Sequence, residues 1–161
     1  MHQIEFPGDP RHPDHERFLL ELGRATYAAT RLAGVAFDVL RILGGKTSAE
    51  LYDDTLGALK NKLKDLDCSK PGLPGLSDFR VHLESALTTR NDLFHALPVK
   101  DGFHRRVSKD LYYIRNFYSM EDLSKALAIF QVTFGAGHHV LYHDGGSAVK
   151  AWVAAGQRSA K

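Results

Sequence analysis

The stretch FLLELGRATYAATRLAGVAFDVLRILGG, residues 18–45, decides the fold class. Phe18, Leu22, Ala25, Ala29, Leu32, Ala36, Val39 and Leu43 recur in alternating steps of four and three, which draws one apolar seam along an α-helix. The seam predicts a helix of about 30 residues, capped by Asp14 and stopped at Gly44-Gly45. Three of its positions are alanine, so a neighbouring helix can approach closely.

Beyond it, a second helix is expected from about Ser48 to Leu66, with Tyr52, Leu56, Leu59, Leu63 and Leu66 on one stripe. DCSKPGLPGLS, residues 67–77, breaks that period and leaves Ser77 as an N-cap. A third helix follows, with Phe79, Leu83, Ala86, Leu93 and Leu97 on its apolar face and Pro98 as its end. The fourth opens with Ser119 and Asp122 at capping-box spacing, Asp standing where Glu or Gln is usual. Its stripe is Met120, Leu123, Leu127, Phe130, Phe134 and Leu141.

Between these two helices lies GFHRRVSKDLYYIRNFYS, residues 102–119. Two strand-like runs around Ser108-Lys109-Asp110 predict a β-hairpin. The final stretch, GGSAVKAWVAAGQRSAK, forms either a short helix anchored by Trp152 or a fraying tail. No internal repeat or low-complexity segment is apparent. The expected fold is all-α, a four- to five-helix bundle with a small β-hairpin insert between the third and fourth helices. One domain is expected over 1–161, its core about 14–143, with terminal extensions at 1–13 and 145–161.

Composition is that of a globular chain: 161 residues, 43% hydrophobic, 25% charged and 10% aromatic. A net charge of +2 advertises neither a nucleic acid nor a membrane. Cys68 is the only cysteine, which excludes a disulfide framework within the chain and a cysteine-based zinc site. MHQIEFPGDPRHPDH has no apolar core of a secretion signal, and no run approaches the length of a membrane span. The expected address is the cytoplasm.

One residue breaks the pattern of the third helix. Continued through Phe79, Leu83 and Ala86, its seam reaches Arg90 before Leu93 and Leu97. A guanidinium stays charged inside proteins, and burying it unpaired costs several kcal/mol. Either a carboxylate on a neighbouring helix pairs with it, the side chain snorkels out, or it serves a ligand. His95 lies about 140° around the helix from Arg90, on a polar stripe with Glu84, Thr88 and Asn91. Asn91 is one turn away and can orient the imidazole. Arg90 and His95 become an obvious pair only where two chains share one cleft across a two-fold axis.

RNDLFH, residues 90–95, fits the Arg-x4-His signature of HEPN domains (higher eukaryotes and prokaryotes nucleotide-binding), including the frequent Asn after the Arg. Long helices before the motif, its place late in a helix, a hairpin after it and a SMEDL start to the last helix also fit. The chain therefore resembles a small HEPN-like protein over about residues 14 to 143. Glu21, Arg24 and Asp38 stand on the first helix, where the family often keeps a charged residue facing the motif. The resemblance implies a homodimer and, in active members, metal-independent RNA cleavage without a cofactor. It also brings a toxin or phage-defence role and an antitoxin or nucleotidyltransferase partner.

The residues suit that chemistry. Attack of a ribose 2′-OH on its own phosphate needs a base, an acid and positive charge for the phosphorane oxygens. His95 from two protomers can fill the first two roles, Arg90 clamps the phosphate, and Asn91 holds the imidazole or the phosphate. Lys100 to Tyr118 holds five Lys or Arg against two Asp, interleaved with aromatics. Lys100, Arg105, Arg106, Lys109, Tyr113 and Arg115 would form an RNA track there, or an ordinary edge hairpin packs its aromatics on the bundle.

Two other functions fit parts of the chain. Many HEPN-like bundles bind nucleotides, RNA or proteins without cleaving. GAGHHVLYHDGG, residues 135–146, also places His139 and His143 four apart on an expected helix, a spacing that can chelate a metal. Alternatively, His138, His139 and His143 cluster at a helix C-terminus, where their protonated forms suit the dipole.

Overall fold

The computed structural model describes residues 4–70, 72–95, 97–99, 102–105, 114–116 and 119–159. Among them are six α-helices: α1 (His15–Asp38), α2 (Ser48–Leu51), α3 (Leu56–Ser69), α4 (Leu76–His95), α5 (Met120–His139) and α6 (Gly146–Ser159). Single π-helical turns, Val39–Leu43 and Val140–Asp144, prolong α1 and α5. Three strands, β1 (Leu97–Val99), β2 (Gly102–Arg105) and β3 (Ile114–Asn116), lie between α4 and α5. No helix among the described residues is long and apolar enough to cross a membrane.

The helical core agrees with the expectation from sequence, but the rest of the expected fold class is overturned. There are six α-helices instead of four or five. In place of a lone β-hairpin insert stands a three-stranded antiparallel sheet in the order β1-β2-β3. Leu97 pairs with His104 and Pro98 with Phe103, so Leu97 belongs to a strand and not to the apolar face of the third helix. A residue before proline is pushed out of the helical region, and proline, lacking an N–H, is tolerated on an edge strand such as β1. The expected turn at Ser108-Lys109-Asp110 lies outside the described residues.

The expected second helix is two helices. Tyr52, placed on its stripe, is 83% exposed, because the chain leaves α2 there. Thr55 caps α3 by accepting from the Ala58 N–H at 3.2 Å, and Lys62 reaches both Asp54 Oδ2 at 2.6 Å and the Glu50 carbonyl at 2.9 Å. These side-chain bonds offer the backbone an alternative to one continuous helix. Thr47 and Glu50 close a full capping box on α2, and Ser119 with Asp122 closes the equivalent box at α5.

The chain falls into two compact units, Met1–Ala29 with Ala86–Phe130, and Thr30–Ser85 with Gln131–Lys161. In the first, Phe18 is fully buried and meets Phe6 edge to face at 5.5 Å. Ala25, Ala29, Ala86, Leu93, Leu123, Ala126 and Phe130 are also buried there. In the second, Leu32, Ala36, Val39, Leu63, Phe79 and Leu83 are buried, each large side chain contributing about 1.5–3 kcal/mol. Buried Thr133 donates to the His82 carbonyl at 3.2 Å and so needs no water. Gly137 has no room for a side chain: a Cβ there would lie 2.7 Å from Val35 and 2.9 Å from Phe79.

The two π turns share a local sequence. Val39-Leu40 leads to Gly44-Gly45, and Val140-Leu141 leads to Gly145-Gly146. In each, the valine and leucine are buried and the first glycine's N–H donates to the valine carbonyl, at 3.3 and 2.8 Å.

Candidate functional site

In the first unit, α4 carries the sequence-predicted triplet. Buried Ala86 and Leu93 fix the rotation of this stretch of the helix and leave Arg90 half-buried. Arg90 Nη1 donates to Asn91 Oδ1 at 3.3 Å, and its guanidinium lies 5.1 Å from the centre of the Phe94 ring. Among the described residues no carboxylate is in ion-pair range of Arg90. Asn91 thus accepts from the arginine, where the sequence led to the expectation that it holds the imidazole or the phosphate. His95 is exposed at the last position of α4, one turn beyond Asn91, and makes no hydrogen bond to a described residue. The single chain therefore brings Arg90 and Asn91 into contact and leaves His95 open to solvent.

Of the expected RNA track, Lys100, Arg106, Lys109 and Tyr113 lie outside the described residues. Arg105 is in β2 opposite Ile114, and Arg115 is in β3 opposite His104, so the two arginines are not cross-strand partners. On α1, Arg24 pairs with Glu21 at 2.8 Å and Asp38 with Arg41 at 3.2 Å.

The second unit holds a different cluster. His139 and His143 stack with ring centres 4.4 Å apart and 17° between planes. Asp144 Oδ1 is 3.6 Å from His139 Nε2 and 3.2 Å from His143 Nδ1, while its Oδ2 accepts the Gly75 N–H at 2.7 Å. Burial pushes the Asp144 carboxyl up, but the Gly75 N–H, the His143 bond and both histidine charges outweigh it and hold it below its ordinary value. His138 is not part of this group: it sits against Phe134 at 4.4 Å and Tyr142 at 5.1 Å. Asp144 was missed in the sequence, although it directly follows His143 and precedes Gly145-Gly146.

A depression of about 260 Å³ beside Asp144, bordered by Ile42, Lys70, Leu73 and Ser147, offers little to a charged ligand, because Lys70 already donates to the Leu43 carbonyl. No family model, curated protein sequence or solved structure matches the chain significantly, so its own residues carry the functional reading.

Proposed function

We propose that this chain is a metal-independent endoribonuclease of the HEPN type, with Arg90, Asn91 and His95 as its catalytic residues. The observation that carries the reading is the state of Arg90: half-buried, held by Asn91 and Phe94, with no carboxylate in reach among the described residues. A scissile phosphate supplies the missing counter-charge, and the guanidinium fork suits its oxygens. His95, open to solvent, takes the 2′-OH proton in one protomer and protonates the leaving oxygen from the other. A homodimer is therefore part of the proposal. Leu20, Gly23 and Tyr27 are exposed at i, i+3 and i+7 on α1 and suit a second helix at close range. On this reading the protein works in the cytoplasm as a toxin or phage-defence effector, restrained by an antitoxin or a nucleotidyltransferase partner.

The test is incubation of the purified chain with single-stranded RNA in EDTA. Cleavage leaving 2′,3′-cyclic phosphate ends, abolished by Arg90→Ala and by His95→Ala, is the expected result. A second reading, a non-catalytic RNA- or nucleotide-binding module, is favoured by His95 having no orienting partner among the described residues. Intact RNA that is nevertheless bound through Arg90 would select it. Neither cleavage nor binding would overturn both.

A further inference from the structure

We infer that His139, His143 and Asp144 bind one divalent transition-metal ion of the zinc type. The inference does not rest on the ribonuclease reading, which uses none of these residues. Bonds of about 2.0–2.1 Å in a tetrahedral site place neighbouring ligand atoms roughly 3.3 Å apart. The two separations from Asp144 Oδ1, 3.6 and 3.2 Å, bracket that edge. All three ligand atoms lie within 4.8 Å of one another, so the remaining edge closes by rotation of the two imidazoles. Both rings are exposed, 54% and 75%, and free to make that rotation.

The carboxylate is already oriented. Its side chain is only 2% exposed, and the Gly75 amide holds Oδ2, leaving Oδ1 directed at both imidazoles. An outer hydrogen bond of this kind fixes a metal ligand before the metal arrives. Gly75 must be glycine for this approach, since a Cβ would stand 2.8 Å from Asp144 Oδ2 and 3.1 Å from His139 Cδ2. The π turn contributes as well. Residues four apart on an α-helix are about 40° out of line, whereas a turn closed by i→i+5 brings them nearer to eclipse. That accounts for the near-parallel stacking of His139 on His143. Two imidazoles and one carboxylate select zinc, cobalt, nickel or copper over calcium and magnesium, and leave the fourth position to water. The ion would fasten the end of α5 to the loop before α4, through Asp144 and Gly75.

The experiment uses the untagged full chain, stripped of metal and titrated with zinc chloride and, separately, with cobalt chloride. One equivalent of zinc should bind by calorimetry. Cobalt should give the visible bands of a low-coordinate ion. His139→Ala and His143→Ala, both at exposed side chains that the fold does not need, should each weaken binding by more than about tenfold. His138→Ala should leave it unchanged. Failure to saturate, binding untouched by the first two substitutions, or equal weakening by the third would each overturn the site. Asp144→Asn should abolish the cobalt bands; bands that persist in a folded Asp144→Asn protein would count equally against it.

Discussion

At the scale of the residue, Arg90 is a full charge on a helix whose preceding seam residues, Phe79, Leu83 and Ala86, are all buried. With Asn91 and Phe94 as its described contacts, Arg90→Ala removes a weak hydrogen bond and a cation–π contact and strands no described carboxylate. It should change unfolding free energy in urea by no more than about 1 kcal/mol. A loss of about 3–5 kcal/mol would instead mean that the substitution uncovers a buried carboxylate. His95→Ala, at an exposed position, should stay within about 0.5 kcal/mol. Arg90 was legible in the sequence because a charge interrupting an apolar period is visible without coordinates. Asp144 was not, because what makes it unusual is the Gly75 amide, 69 residues away.

At the scale of the element, the capping boxes give a pH-dependent prediction. The Thr47 N–H and hydroxyl hold the Glu50 carboxylate and lower its pKa in the folded chain. A group depressed on folding stabilises above its unfolded pKa, and that contribution disappears as pH falls through the folded value. Stability of the wild type measured from neutral pH downward should therefore fall toward that of Glu50→Gln below about pH 4.5. A constant gap across that range would contradict the capping role. Thr47→Ala should cost about 1 kcal/mol at neutral pH. Gly137→Ala pushes a methyl against Val35 and Phe79 and should cost about 1–3 kcal/mol, read from the denaturation midpoint. The long apolar seams of α1, α4 and α5 were readable because a period of 3.6 survives over many turns. The break between α2 and α3 was hidden because Leu56, Leu59 and Leu63 continue in phase past it. The sheet was only half visible, since Leu97 and Pro98 read as the end of a helix.

At the scale of the whole molecule, the ribonuclease reading requires two copies. Light scattering at tens of micromolar should give a dimer, and Tyr27→Glu on α1 should shift it toward monomer if that helix supplies the contact. A monomer at that concentration would leave no composite site. The two proposals also separate under chelation. Cleavage at 25 °C should survive EDTA, while thermal unfolding of protein purified with its metal should move to lower temperature, as loss of any ligand bound only to the folded state requires. Cleavage lost on chelation and restored by zinc would instead move catalysis to the histidine cluster.

The two π turns give chain length itself some slack. Each carries one residue more than an α-turn, so removing one residue from Val39–Leu43 or Val140–Asp144 lets that turn close as an ordinary α-turn and leaves the chain on either side close to its original register. In a scan of single-codon deletions these two windows should tolerate loss better than the interiors of α1 and α5, where one missing residue rotates everything after it by about 100°.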